Sequence, residues 1–198
     1  MQHYASLIKQ YHNSLDLMSD RALAHLDAKL TDAKLYADAI TELLALPRED
    51  SPTLLDIGSG VGLPGIPLAV WLEHCHVYLV ERRRRRSSFL NICISQLGLN
   101  NASVIHTDIR HLSSGQLRAP VEVISALAVA SFKDLYQLSQ HLSKRPCYLL
   151  SRKGTNWQEE VDDFQQQFSS HLRIEVSLAK PLDEHARLIA LKIDDITS

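Results

Sequence analysis

The first quarter of the chain has the hydrophobic spacing of helices. Its last apolar positions recur at helical intervals: Leu35, Ala39, Ile40, Leu43 and Leu44. Glycine is absent from residues 1–47, and Pro47 follows the end of the pattern. Because side chains three and four positions apart share one helix face, residues 1–47 are predicted to form helices.

From residue 53 the pattern changes to short apolar runs separated by longer helix-like stretches. The runs are TLLDI (53–57), VYLVE (77–81), SVIH (103–106), VEVISALAV (121–129) and CYLLS (147–151). The stretches with helical spacing between and after them are 64–72, 84–97, 131–143 and 155–168. Strands that alternate with helices predict a parallel sheet with right-handed crossovers.

The last quarter has a different pattern. The runs LRIEVSL (172–178) and RLIALKI (187–193) are strand-like and are joined by a short loop that contains Pro181. A connection this short permits only antiparallel pairing. The whole pattern predicts an α/β protein in which two antiparallel strands complete a parallel sheet.

Composition narrows the class of protein. The 198 residues are 45% hydrophobic and 22% charged, with a net charge of −2, which is typical of a globular protein and excludes a generic polyanion binder. Three scattered cysteines without a C-x-x-C motif favour a reducing cytoplasm and give no metal site. We find neither a signal-peptide pattern nor an apolar run long enough for a membrane helix, so we expect a cytoplasmic protein without a membrane span.

A glycine-rich loop follows the first predicted strand. In LLDIGSGVGLPGIPLAVW (54–71) the strand carries Asp56, four glycines occupy positions between 58 and 65, and a helix then begins. Glycines let the backbone turn and approach a ligand, and the helix N-terminus offers free N–H groups. Glu81 ends the second strand, where a carboxylate accepts hydrogen bonds from ribose hydroxyls.

Two nucleoside ligands fit this loop. Gly60-x-Gly62-x-x-Gly65 satisfies the dinucleotide fingerprint, so NAD or FAD is one candidate. The carboxylate of Asp56 just before the turn suits the cationic amino-acid end of S-adenosylmethionine better than a pyrophosphate. Pro64 and Pro67 also remove N–H donors from the first helical turn. The residues therefore favour S-adenosylmethionine.

Longer stretches resemble one methyltransferase family. Residues 56–67, Asp-Ile-Gly-Ser-Gly-Val-Gly-Leu-Pro-Gly-Ile-Pro, resemble the signature loop of the bacterial 16S rRNA guanine-N7 methyltransferases of the RsmG or GidB type. Glu81 followed by Arg85, Arg86, Phe89 and Leu90 resembles that family's next motif, and Lys153-Gly154 resembles its Leu-Lys-Gly. The resemblance covers most of the chain and is strongest over residues 54–90.

The resemblance implies a Rossmann-like seven-stranded methyltransferase sheet with helices on both faces and an N-terminal helical cap. It divides the chain into a cap (1–48) and an S-adenosylmethionine-binding domain (49–198). The implied reaction is methyl transfer to N7 of a guanine in the 530 loop of 16S rRNA, by a monomer acting on ribosomal RNA or the small ribosomal subunit. Because N7 has a lone pair and no proton, no general base is needed, and the sequence identifies no catalytic residue.

The same resemblance assigns the site residues. Those expected at the cofactor are Asp56, Gly58, Gly60, Leu63, Glu81, Asp108, Ile109, Arg110 and Leu127. Asp108 would accept from the adenine amino group or cap a helix. Those expected at RNA are Arg84, Arg85, Arg86 and Lys153. Cations at a helix N-terminus oppose the helix dipole, so the run Arg82–Arg86 calls for a functional reason such as phosphate binding.

One departure from the family leaves an alternative open. Where the family has Ser-Arg-Ala after the fourth strand, this chain has Ala126-Leu127-Ala128. Leucine lacks the planar, five-donor guanidinium of arginine. The alternative hypothesis is therefore a catalytically impaired paralogue that binds cofactor and RNA and has a ribosome-associated role.

Overall fold

A seven-stranded sheet forms the centre of the protein in a computed structural model, which describes residues 1–127 and 130–196. The strands are β1 (Thr53–Ile57), β2 (His76–Val80), β3 (Ala102–Ile105), β4 (Val121–Ala126), β5 (Ser143–Lys153), β6 (Leu172–Pro181) and β7 (Arg187–Asp195). Their order is β3-β2-β1-β4-β5-β7-β6. Strands β1 to β5 pair in parallel, whereas β7 is antiparallel to both β5 and β6. The predicted Rossmann-like sheet with its antiparallel end is confirmed.

Helices cover both faces of the sheet. They are α1 (Gln2–Leu15), α2 (Asp20–Ala24), α3 (Leu26–Leu44), α4 (Gly65–Trp71), α5 (Arg84–Leu97), α6 (Phe132–Ser139) and α7 (Trp157–Phe168). Three of them lie in residues 1–47, as the hydrophobic spacing predicts. Within the described residues, each helix falls short of the combined length and hydropathy that a bilayer-spanning segment needs.

The alternation of side chains along the strands creates two hydrophobic cores. Leu54 of β1 faces the core that contains α1, α3, α4 and α5, and its neighbour Leu55 faces the core that contains α6 and α7. The N-terminal helices thus pack on the same face as the glycine-rich loop. The Tyr4 hydroxyl of α1 donates to the Val61 carbonyl of that loop at 2.8 Å, which fixes the first helix against the loop.

Several element ends differ from the sequence prediction. Strand β4 ends at Ala126 rather than 129, and residues 128 and 129 lie outside the described residues. Helix α6 ends at Ser139, and β5 already begins at Ser143. Pro146 obscured this early start because it has no N–H for a strand ladder; it lies where the β4–β5 pairing shifts register. Pro181 ends β6 rather than lying in the following loop.

The strand order defines where a ligand can bind. Strand β1 pairs with β2 on one side and with β4 on the other, so the connections leave β1 and β4 in opposite directions along the sheet. In open α/β sheets the crevice at this reversal, at the carboxyl ends of the strands, is the usual ligand site. The glycine-rich loop leaves β1 at this point.

Candidate functional site

The backbone of the glycine-rich loop adopts conformations and close contacts that disfavour any residue larger than glycine. Gly58, Gly60 and Gly62 all have positive φ angles, and that of Gly62 is 98°. A β-carbon at Gly62 would lie 2.5 Å from Cγ1 of Ile66. At Gly65 steric crowding, rather than a positive φ angle, requires glycine, because a β-carbon there would lie 2.6 Å from Oδ2 of Asp56. The glycines thus allow the loop to lie tightly over the end of β1.

Glu81 connects the loop to the end of β2. Its buried carboxylate accepts from the Gly60 N–H at 2.9 Å and from the Arg83 N–H at 2.7 Å. Each carboxylate oxygen has a second lone pair, so Glu81 can still accept from two hydroxyl groups of a ligand. This arrangement suits a ribose, and the contact of Glu81 with the cofactor stays a prediction.

Asp56 lies beneath the loop with one oxygen unsatisfied. The residue is 1% exposed, and its Oδ1 accepts from Oγ of Ser125 on β4 at 2.9 Å. Its buried Oδ2 has no hydrogen-bond partner of standard geometry among the described residues, although the Gly65 N–H lies close enough to the carboxylate to lower its pKa. Burial raises the pKa of Asp56 to about 7, against hydrogen bonds that lower it. A buried carboxylate of this kind favours a cationic ligand nearby.

A cavity of about 400 Å³ lies over the ends of β1, β2 and β3; we call it the Glu81 cavity. Its lining includes Gly58, Glu81, Arg86, Asp108, Ile109 and Arg110. Five of these six were assigned to the cofactor from the sequence, and the fold brings them to one site. The size of the cavity is within the range of small-molecule and cofactor sites.

Asp108 has the capping role considered in the sequence analysis. Its Oδ1 accepts from the Arg110 backbone N–H at 3.1 Å, at the start of a short 3-10 turn. The Arg110 side chain also donates to both carboxylate oxygens and holds the pKa of Asp108 below its usual range. The proposed contact of Asp108 with an adenine amino group stays a prediction.

The arginines of the run 82–86 differ in their surroundings. Arg84 and Arg85 are exposed, whereas Arg86 is half-buried and lines the Glu81 cavity. The buried Nε of Arg86 has no hydrogen-bond partner within residues 1–127 and 130–196. Its guanidinium therefore lies at the cavity, while those of Arg84 and Arg85 face solvent.

A second cavity, of about 520 Å³, lies between the N-terminal helices and the sheet; we call it the cap cavity. Its lining includes Leu63, Pro64 and Leu127, and also Asp32, Tyr36 and Arg152. Leu63 and Leu127 thus lie in this cavity and are absent from the lining of the Glu81 cavity. Ala128, the third residue of the departure from the family, lies outside the described residues.

Three residues of the cap cavity were not found from the sequence. Asp32 and Tyr36 come from α3, and Arg152 comes from β5. No short motif marks them, because the cavity forms only when α3 packs over the sheet. Arg152 places a guanidinium in the same cavity as Leu127, although position 127 itself has none.

Lys153 is engaged within the protein. Its side chain is 8% exposed, and its Nζ donates to Glu160 at 2.6 Å and to the Ala130 carbonyl at 2.9 Å. The ammonium also lies 4.4 Å from the centre of the Phe132 ring. These contacts join β5 to α6 and α7. The RNA-binding role of Lys153 stays a prediction, and its burial argues against direct phosphate contact.

A Lys153→Met substitution tests this structural role. We expect it to lower the free energy of unfolding by about 1–3 kcal/mol, because the Ala130 carbonyl loses its side-chain donor and the Glu160 carboxylate loses its cation and keeps, within the described residues, only the Phe132 N–H. Urea denaturation measures the change. Lys9→Met, on the exposed side of α1, is the control and should change stability by less than about 0.5 kcal/mol. Equal stability of the two variants would contradict the assignment.

Comparison with known proteins extends the resemblance seen in the motifs. The family model of rRNA small subunit methyltransferase G (GidB) matches residues 1–189. Ribosomal RNA small subunit methyltransferase G of Helicobacter pylori strain J99 is 34% identical over 161 residues, which are 81% of this chain and 84% of that protein. The protein of the same name from Pasteurella multocida strain Pm70 is 29% identical over 150 residues, 76% of this chain and 70% of the relative.

A solved structure shows the same fold at low sequence identity. Magnesium protoporphyrin IX methyltransferase from Synechocystis PCC 6803, crystallised with bound S-adenosylmethionine, superposes with a TM-score of 0.67 at 12% identity and covers 96% of each chain. At this identity the likeness concerns the fold alone. Because the family model matches residues 1–189 of the 198, the chain belongs to the rRNA small subunit methyltransferase G family.

Proposed function

We propose that this protein transfers the methyl group of S-adenosylmethionine to N7 of a guanine in small-subunit ribosomal RNA, in the 530 loop by resemblance. The observation that carries the proposal is the pairing of the family's signature loop with a cavity that Gly58 of this loop and Glu81 both line. The substrate places the reaction in the bacterial cytoplasm, and we propose that the protein acts as a monomer.

The residues fit the proposed cofactor. Glu81 has lone pairs for the two ribose hydroxyls, and the buried carboxylate of Asp56 provides negative charge beneath the loop for a cationic amino-acid end. Arg86 lines the cavity, and its Nε has no partner among the described residues, so its guanidinium suits the carboxylate of that amino-acid end. When bound, the cofactor supplies an electrophilic methyl group on a positively charged sulfur.

The reaction requires little acid–base chemistry from the protein. Guanine N7 carries a lone pair and no proton, so the protein has only to hold donor and acceptor close and in line, which contributes up to about 7–11 kcal/mol. We propose that residues 49–198 hold the donor and that the cap, residues 1–48, closes the acceptor side. The methylated ring gains positive charge, so the carboxylates near both cavities favour the product.

We propose that the exposed arginines of α5 bind RNA phosphates. Arg84 and Arg85 occupy the first turn of α5, which has no acidic residue to balance them. This placement opposes the helix dipole by about 0.3–1 kcal/mol per charge. Both side chains face solvent, and Arg86 of the same helix lines the Glu81 cavity, so the RNA backbone can reach them close to the proposed cofactor site.

Replacing both Arg84 and Arg85 with alanine is expected to weaken RNA binding about tenfold at low salt. Each lost phosphate contact removes the release of about one counterion, so the slope of log affinity against log salt should fall by about 1.5–2. Fluorescence anisotropy with a labelled 16S fragment at several salt concentrations measures both. The control, Arg173→Ala with Lys192→Ala, removes the same charge from the far edge of the sheet and should leave the slope unchanged. Equal loss in both variants would contradict the assignment.

The alternative of an impaired cofactor- and RNA-binding paralogue rests on Leu127. The guanidinium of Arg152 lines the cavity that Leu127 lines, which favours an active enzyme over the paralogue. Purified small subunits and bare 16S RNA incubated with S-adenosylmethionine labelled in its methyl group separate the two. We expect the RNA to become labelled and to lose this label on treatment with borohydride and aniline, which cleaves RNA at N7-methylguanine. Cofactor binding without label on either RNA would favour the paralogue. Calorimetric titration with NAD tests the dinucleotide alternative.

A further inference from the structure

The cap cavity contains two carboxylates bridged by one arginine. Arg152 of β5 donates from Nη1 to Oδ2 of Asp32 on α3 at 3.3 Å and from Nη2 to Oδ2 of Asp183 at 2.6 Å. All three residues line the cavity. The mechanism of methyl transfer proposed above gives none of them a contact with the acceptor base, so their place in the cap cavity calls for an explanation.

Asp32 keeps most of its capacity to accept hydrogen bonds. Its side chain is 21% exposed, and Arg152 is its one side-chain hydrogen-bond partner in the part of the chain that the structure describes. Burial raises the pKa of Asp32, and the charge of Arg152 lowers it. Asp183 differs, because it is 48% exposed and its Oδ1 already accepts from the His185 N–H at 2.8 Å.

The position of the cap cavity determines how a base can enter it. Leu63 belongs to the glycine-rich loop and Leu127 follows β4, so the cap cavity reaches the reversal of the strand order on the face of the sheet that carries α3. A guanine bound in the cap cavity with N7 toward the loop would point its opposite, Watson–Crick edge away from the loop. Asp32 lies on α3, which forms the cap wall of the cavity.

We propose that Asp32 is the specificity-determining residue for the acceptor base and accepts hydrogen bonds from N1–H and the 2-amino group of guanine. This inference rests on the function proposed above. The two donors of guanine lie side by side and match the two oxygens of one carboxylate, as in other contacts to the Watson–Crick edge of unstacked bases. Adenine has an unprotonated N1, whose lone pair would face the carboxylate, so adenine is rejected.

The charges around the cavity agree with an RNA occupant. Arg21 and Lys29 lie at the cavity beside Asp32 and provide cations for phosphates on either side of an inserted base. Arg152 acts as a positioning residue, because its ion pair holds the Asp32 carboxylate in place and ionised. The same ion pair joins α3 to β5, so a test must include base preference, which a purely structural role would not change.

The first experiment uses a synthetic RNA that contains the guanine mapped by the labelling described above, or inosine at that position. Inosine keeps N7 and N1–H but lacks the 2-amino group. For the unmodified enzyme, kcat/KM should be about tenfold higher with the guanine RNA than with the inosine RNA. Asp32→Asn should lower kcat/KM on guanine about 30- to 100-fold, leave the Kd for S-adenosylhomocysteine unchanged and treat the two bases alike.

Two further variants serve as controls. Asp183→Asn removes the other carboxylate on Arg152 and should keep the preference for guanine over inosine. Asp32→Glu keeps the carboxylate and should restore part of that preference. If Asp32→Asn prefers guanine as strongly as the unmodified enzyme does, the inference is overturned and the proposed methyl transfer still stands.

A binding measurement separates the two proposals without turnover. In the presence of S-adenosylhomocysteine, guanosine 5′-monophosphate should shift NMR signals of the cap cavity at a concentration several times lower than inosine 5′-monophosphate does, and Asp32→Asn should abolish this difference. Equal binding of both nucleotides by the unmodified protein would overturn the role of Asp32. Preference for guanosine in a protein that labels no RNA would support that role and refute the proposed methyl transfer.

Discussion

An Asp56→Asn variant is expected to bind S-adenosylmethionine about 100-fold more weakly than the unmodified protein. Asp56 is buried beneath the glycine-rich loop, and in the proposed function its carboxylate provides the negative charge for the cationic end of the cofactor. Removing one member of a buried charge pair costs about 2–5 kcal/mol. Asparagine has nearly the same shape and can still hydrogen-bond to Ser125, so the loss concerns charge rather than packing.

The pH dependence of cofactor binding gives a second measurement of the same carboxylate. With a pKa of about 7 for Asp56, its ionised fraction falls from about three quarters at pH 7.5 to about 3% at pH 5.5. Affinity for S-adenosylmethionine should therefore fall about 25-fold over this range in the unmodified protein and stay nearly constant in Asp56→Asn. Calorimetry at both pH values tests this, and an equal slope in the two proteins would contradict it.

The same substitution should stabilise the ligand-free protein at high pH. The pKa of Asp56 is higher in the folded than in the unfolded chain, so its contribution to stability is full below pH 4 and is lost as the pH rises through 7. Asparagine removes this loss, which amounts to at most about 4 kcal/mol at pH 8. Urea denaturation without ligand should show the variant gaining more at pH 8 than at pH 5. Ser125→Ala is the control that removes a hydrogen bond but keeps the charge.

The sequence predicts features that depend on neighbours in the chain. Helix α5 spans 84–97 both in the prediction and in the structure, because Gly98 adopts the left-handed conformation that ends it. Asp56 and Glu81 are likewise found from sequence, since parallel pairing of β1 with β2 brings their carboxyl ends together. Local pattern and strand pairing are therefore sufficient to predict that these two carboxylates lie close together.

The acceptor side depends on contacts that local pattern does not reveal. Arg152 and Asp32 are 120 positions apart and meet only when α3 packs over the sheet. Lys153 has the position of a surface cation at a strand end, yet Glu160 of α7 neutralises it inside the protein. The assignment of Leu127 to the cofactor followed the family motif, whereas the structure places it in the cap cavity. Each of these placements depends on how a helix packs against the sheet, which the local pattern does not reveal.

The steric role of Gly62 leads to the largest expected loss of stability. Gly62→Ala places a β-carbon 2.5 Å from Ile66, 3.0 Å from Leu90 and 3.1 Å from the Tyr4 hydroxyl, on a backbone with φ of 98°. Backbone strain of about 1–2 kcal/mol adds to overpacking of about 1–3 kcal/mol, so unfolding free energy should fall by about 2–5 kcal/mol. Because Tyr4 holds α1 to the loop, the cap should loosen as well.

Two other glycines separate strain from crowding in this prediction. Gly98 also has positive φ but open space around its β-position, so Gly98→Ala should lose only about 1 kcal/mol. Gly115 has neither constraint, and Gly115→Ala should change stability by less than about 0.5 kcal/mol. Urea denaturation of the three variants should give losses in the order Gly62, Gly98, Gly115. If Gly62→Ala loses no more than Gly98→Ala, the loop tolerates a side chain there, and close packing between cap and loop is not what holds the cofactor crevice in shape.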